Sequence, residues 1–202
     1  MVGTHPTSCL TQPERALLLE LSRRTLREQC VSGRPPDVDP AALSRSLRQP
    51  RACFVTLMKH GELRGCVGNL LPREPLYLAV MHNACGAAFR DNRFAPVGAE
   101  EIQDLHIEIS ILGEPVKMTF RSPEDLLGQL RPGVDGVILK VRGRTATFLP
   151  QVWEKVSGPV EFMEALAHKA MLPGSAWRDP AAVVLTYPVE HFEEPTRAAD
   201  II

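Results

Sequence analysis

The sequence predicts an α+β fold: a largely antiparallel sheet covered by helices, built from two similar hairpin–helix–strand units. Three observations carry that expectation. Leu105 to Leu112 alternates, with Leu105, Ile107, Ile109 and Ile111 on one side and His106, Glu108 and Ser110 on the other, as a half-buried strand does. Two β-rich runs fold back on themselves through polar turns at 59–62 and 142–144. Helix-start signals recur between them, at Thr11-Gln12-Pro13-Glu14 and Ser122-Pro123-Glu124-Asp125.

Taken in order, the first helix runs from the Thr11 cap to about Cys30 and buries Leu17, Leu18 and Leu21. Gly33-Arg34-Pro35-Pro36-Asp37 ends it, and 33–50 reads as a loop with at most one helical turn. Arg51 to Met58 is a strand, Lys59-His60-Gly61-Glu62 a turn, and Leu63 to Gly68 the returning strand. Pro72 to Pro75 opens a helix to about Phe89, with Leu76, Val80, Ala84 and Ala87 on its apolar face. After the alternating strand, a helix begins at Ser122 with Leu126, Leu127 and Leu130 inward. Val137 to Val141 and Thr145 to Leu149 form the second hairpin, and Pro150 starts a short helix. Gly158-Pro159 precedes a helix through Met171, with Gly174 as its stop. Ala182 to Phe192 is the last long strand, and Pro188 puts part of it at an edge or bulge. Hairpin, helix and strand over 51–113 thus recur over 136–193, which implies an internal duplication sharing one sheet. The domain spans 12–194, with or without a small lobe, between flexible termini at 1–11 and 195–202.

Composition narrows the function classes. The chain has 202 residues with 23 basic and 24 acidic side chains, so no strong field draws in nucleic acid or an anionic membrane. No apolar run approaches the roughly 18 residues of a membrane span, and the start is unlike a signal peptide. Five widely spaced cysteines, Cys9, Cys30, Cys53, Cys66 and Cys85, without a CxxC pair, point away from a disulfide framework or a zinc knuckle. A reducing, cytoplasmic setting follows. Gly-rich phosphate loops, HExxH and GxSxG are absent from the sequence.

The candidate site is Leu63-Arg64-Gly65-Cys66-Val67-Gly68. Alternation places Arg64 and Cys66 on one face. Flanking glycines would leave room around the sulfur, and a nearby guanidinium would favour the thiolate. The bland alternative is a packed thiol beside a bulge. A second cluster, Asn83 and then Ala87 to Phe94, offers Arg90 and Arg93 for an anionic ligand, or simply cations at a helix C-terminus. Glu108 and Ser110 line a cleft or face water. His82 and His106 are candidate bases with no spacing that ties them to Cys66, and the same lack of spacing leaves a metal site unassigned.

These segments resemble the AMMECR domain family. The similarity lies in Leu63–Gly68, Ala87–Phe94, Ile107–Leu112, Val134-Asp135-Gly136 and Phe148-Leu149-Pro150-Gln151-Val152-Trp153, over about 12–194. The chain has Asn92 where the family has a Pro, and Asn69 where the family usually has a small hydroxyl residue. Prokaryotic members are called AmmeMemoRadiSam system protein A and are associated with a Memo-like protein and a radical SAM protein. The resemblance implies an α+β fold with internal duplication and a cleft holding Arg64, Cys66 and Arg90–Phe94. It carries over no settled activity. Two functions are expected from the whole reading. In one, Cys66 is a nucleophile or group carrier supported by Arg64, and Asn83, Arg90, Arg93, Phe94, Glu108 and Gln151 hold a small anionic substrate, without metal or cofactor. In the other, the chain is a non-catalytic ligand-binding or adaptor protein for the radical SAM and Memo-like partners.

Overall fold

A computed structural model describes residues 10–195; of the termini expected to be flexible, 1–11 and 195–202, residues 1–9, with Cys9, and 196–202 lie outside the described residues. The first helix, α1 (Gln12–Ser32), starts where the sequence says, in a complete capping box. The Glu14 N–H donates to Thr11 Oγ1 at 3.4 Å, and the Thr11 N–H donates to Glu14 Oε2 at 2.8 Å. Gly33 closes it in the left-handed conformation, φ 71°. Leu18 and Leu21 are buried as expected, but Leu17 is exposed, because the inward stripe runs on through Ser22, Thr25 and Leu26 instead. The loop that follows carries a 3-10 turn at Pro40–Ala42 and a short helix, α2 (Arg45–Arg48).

Strands β1 (Cys53–Lys59) and β2 (Glu62–Gly68) form the first hairpin, with His60 and Gly61 both at positive φ in its turn. Helix α3 (Leu76–Phe89) and strand β3 (Leu105–Leu112) follow. Beyond them lie β4 (Val116–Lys117), α4 (Pro123–Gln129), β5 (Gly136–Val141), β6 (Arg144–Phe148), α5 (Pro159–Lys169), β7 (Val183–Tyr187) and β8 (Val189–Glu193). The α+β class and the antiparallel hairpins are as expected. The single shared sheet is not: the strands form two four-stranded sheets, β2-β1-β3-β8 and β4-β7-β5-β6. In both, the first hairpin strand sits between its partner and the strand after the helix, and the likeness between the halves is one of strand order.

The expected long strand from Ala182 to Phe192 is two strands in different sheets. Pro188, which separates them, has no N–H to give a ladder, so pairing stops there. Its carbonyl instead accepts the Gly113 N–H at 2.8 Å. Gly174 is likewise not a helix stop. It begins a 3-10 turn at Gly174–Arg178, while α5 ends at Ala170 and Met171 takes the left-handed turn.

The described residues divide into two compact units, 10–112 with 190–195, and 113–189. In the first, Val55, Leu57, Ile107 and Ile109 face α1 and α3 and are wholly buried. In the second, Phe162, Leu166 and Trp177 pack on Val137, Leu139 and Val184. No helix among the described residues is long and apolar enough to cross a membrane.

Helix α3 lies so close to β2 that two glycines are needed at the contact. A Cβ on Gly65 would stand 2.1 Å from the Ala87 carbonyl oxygen, and one on Gly86 would stand 2.7 Å from Val67 Cγ1. Backbone cannot step aside as a side-chain tip can. Gly65→Ala is therefore expected to destabilise the protein by about 3 kcal/mol, the upper end for an overpacked core, read as a lower urea midpoint. A Gly65→Ala midpoint equal to wild type would show that α3 can lift off β2 without loss.

Candidate functional site

β2 is an edge strand, so half of its N–H and C=O groups point away from β1. At Cys66 those outward groups are taken by side chains. The Cys66 N–H donates to Asp91 Oδ2 at 2.9 Å, and the Cys66 carbonyl accepts from Arg93 at 3.3 Å. Arg93 also donates to both oxygens of Asp91, at 2.9 and 2.6 Å, and lies over the Phe94 ring. The segment after α3 thus caps β2 in place of a neighbouring strand. The Arg93 guanidinium, helped by the Cys66 N–H, holds the Asp91 carboxyl well below the usual carboxylate range.

Because the Cys66 backbone groups point outward, Cys66 and its β1 partner Thr56 form a non-hydrogen-bonded pair. Side chains of such pairs stand closer together than those of bonded pairs. The Thr56 hydroxyl donates to Cys66 Sγ at 3.3 Å. Thr56 in turn faces Glu108 on β3, so Cys66, Thr56 and Glu108 form a half-buried row across the sheet, opposite the helices. Burial raises the Glu108 carboxyl above its ordinary range, against the pull of His191 and His106. Beyond Glu108, Ser110 Oγ is 3.2 Å from His191 Nδ1, and His106 Nε2 is 3.1 Å from Glu193.

A bulge sets this register. Leu63 pairs with Met58 and Gly65 with Leu57, so Arg64 is the extra residue on β2. The expectation that Arg64 shares the cysteine's face assumed unbroken alternation. The guanidinium runs instead to Glu101, at 3.2 and 3.1 Å, and to the Ala95 carbonyl at 2.9 Å. Lys59 joins Glu101 at 2.9 Å. Arg64 and then Lys59 lower the Glu101 carboxyl to about 2.

The glycines do not open space around sulfur. Gly65 admits Ala87, and Gly68 admits the Phe54 ring, which a Cβ would meet at 2.3 Å. Asn83 is buried, and its amide donates to the Cys53 carbonyl at 3.0 Å and to Asn69 Oδ1 at 2.9 Å, tying down the end of β2. Arg90 is exposed and donates to the His82 carbonyl at 3.1 Å. His82 pairs with Glu74 on the surface. Gln151 belongs to the second unit, in the 3-10 turn Pro150–Lys155. Of the expected site residues, Arg93 is hydrogen-bonded to the Cys66 backbone, and Glu108 lies two strands over on the same sheet face. Among the described residues, no three His, Cys, Asp or Glu side chains converge as a metal site requires.

Sequence reasoning missed Thr56, Asp91 and Glu101 as partners. Asp91 stood in plain view beside Arg93, and the pairing of an edge strand was the signal that gives it a task. Thr56 was hidden by the bulge, because an unbroken two-residue hairpin would put Cys66 opposite Val55.

Asp91→Ala leaves the half-buried Cys66 N–H without its acceptor and Arg93 without its partner. The expected loss is about 1–3 kcal/mol in chemical unfolding, with Asp91→Asn losing less because it keeps an acceptor. Equal stability of Asp91→Ala and wild type would show that water closes the edge unaided. Glu101 sets an acid dependence. Its carboxyl binds a proton more readily unfolded than folded, so its contribution is complete above about pH 5 and fades towards pH 2. Glu101→Gln should flatten the fall in melting temperature over that window, and an unaltered slope would contradict it.

A model of the AMMECR1 family matches residues 19–192 of this chain. A protein from Thermofilum pendens is 34% identical over 96% of this chain and 95% of its own length. One from Methanothermobacter thermautotrophicus is 34% identical over 92% of this chain and 96% of its own length. Among solved structures, that of the uncharacterized protein PH0010 from Pyrococcus horikoshii superposes with a TM-score of 0.84 at 30% identity, covering 92% of this chain and 93% of that one.

Proposed function

The chain belongs to the AMMECR1 family, and on that premise we propose that Cys66 is the reacting group of a thiol-centred activity, as nucleophile or group carrier. The observation that carries this reading is the company of the sulfur. It is half-buried, it accepts a hydrogen bond from Thr56, and it shares a sheet face with a carboxyl whose hold on a proton burial strengthens. The other cysteine of the hairpin is the contrast: Cys53 is wholly buried and its thiol is pushed up to about 12 by burial. In a nucleophilic step, the Cys66 thiol first gives its proton to solvent; the thiolate then forms a carbon–sulfur bond while the bond to the leaving group breaks with its electron pair. The leaving group then takes up a proton, for which Glu108 is the nearest acid on that face. Glu108 lies two strands over, about 10 Å at the backbone, so a substrate touching both lies across Thr56.

The small anionic substrate is the weaker part of the expectation. Arg64 and Arg93 are engaged by Glu101 and Asp91, and neither is left to grip an anion. That same observation favours the second reading, a non-catalytic adaptor for radical SAM and Memo-like partners, in which the arginines are framework. Cytoplasm is the setting that suits either, since it keeps thiols reduced.

Residue-resolved alkylation with iodoacetamide separates the two. Cys66 is expected to react several-fold faster than a free thiol at neutral pH while Cys53 stays unlabelled. A Cys66 that reacts no faster, or is protected, sinks the nucleophile. Co-purification of both partners, unaffected by Cys66→Ser, would then support the adaptor.

A further inference from the structure

We infer that Thr56 is a positioning residue for Cys66, fixing the sulfur's place and donating its hydroxyl proton to the sulfur as a hydrogen bond when the thiolate forms. The inference rests on the thiol-centred reading and deepens it. Thr56 sits in β1, a central strand whose neighbouring residues Val55 and Leu57 are wholly buried. Its backbone is therefore held from both sides. As a β-branched residue it is also stiff at χ1, so its hydroxyl is aimed rather than free to turn. On the other partner, Asp91 and Arg93 hold the Cys66 backbone through its N–H and C=O. Two fixed backbones and one close cross-strand pair leave the 3.3 Å contact as the expected state of the site.

The chemistry favours this direction of the bond. A hydroxyl has one proton to give, and an anionic sulfur is a better acceptor than a neutral one. The other charged groups around the sulfur are accounted for. Asp91 and Arg93 pair behind the backbone, Arg64 and Lys59 hold Glu101, and Glu108, His106, His191 and Glu193 lie further along the sheet from Thr56. Replacing Thr56 by Val keeps the branch and volume and removes only the donor.

The test is a pH series of iodoacetamide alkylation on the full chain, read at Cys66 by peptide mass spectrometry, from about pH 5 to about pH 10. Wild type, Thr56→Val and Thr56→Ser are compared. Thr56→Val is expected to slow the reaction near pH 7 about tenfold, with the high-pH plateau kept. Thr56→Ser restores the wild-type profile, which a merely structural role of the side chain would not. An unchanged Thr56→Val profile, or a change by the same factor at every pH, overturns the positioning role alone. A wild-type Cys66 that does not react overturns both this inference and the reading beneath it.

Discussion

The exposed edge of β2 is the constraint around which the first unit is organised. An edge strand leaves N–H and C=O groups with nothing to bind, and a half-buried edge cannot leave all of them to water. Asp91 and Arg93 meet that need at one residue, Cys66. For them to reach it, α3 must end beside β2, which brings Ala87 against Gly65 and Gly86 against Val67. The two family-like segments around Cys66 and Arg93 are thus two sides of a single contact. Loss of the family's Pro at Asn92 leaves the contact intact, since both Asp91 oxygens still bind Arg93.

A second ionic tie holds the far end of the same sheet. Arg23 of α1 is buried and donates to Glu194, to the Ile102 carbonyl at 2.5 Å and to the Leu105 carbonyl at 2.6 Å. Glu194 also accepts the Ile107 N–H at 3.0 Å. A buried cation is tolerable only when its donors are met, and here they are met by the start of β3 and the residue after β8. Asp91 and Arg93 fix the β2 edge, while Arg23 and Glu194 hold the chain end beside β8. Thr56 and Glu108, on the two strands between, stand on a backbone held at both margins.

Local features of the fold were legible and long-range ones were not. Thr11 with Glu14, the alternation from Leu105 to Leu112, and the turns at His60-Gly61 and Arg142-Gly143 each depend on a few neighbouring residues, and each is found where the sequence puts it. The split into two sheets turns on Pro188, which the pattern allowed as a bulge within one strand. Arg23 and Glu194 lie 171 residues apart, and no periodicity links them. At the site, the position of Cys66 was legible but its surroundings were not. One inserted residue at Arg64 turned the expected cation away and brought an unremarked Thr to the sulfur. The glycines were read as free space, although what fills that space comes from α3 and Phe54.

The pairing of charge at the site has a chemical consequence. Two arginines beside a cysteine suggest a thiolate held by cations and a substrate drawn in by them. With Arg64 and Arg93 each facing a carboxylate, little net positive charge is left near the sulfur. Under the proposed thiol chemistry, support of the sulfur would fall to a neutral dipole, the Thr56 hydroxyl. A dipole acts only at contact distance and only in the right direction, whereas a full charge acts over several ångströms. A thiol supported by a hydroxyl therefore depends on register far more than one supported by arginine. The bulge, the packed glycines and the Asp91 clamp all act on β2, and together they hold it in the register where Cys66 faces Thr56.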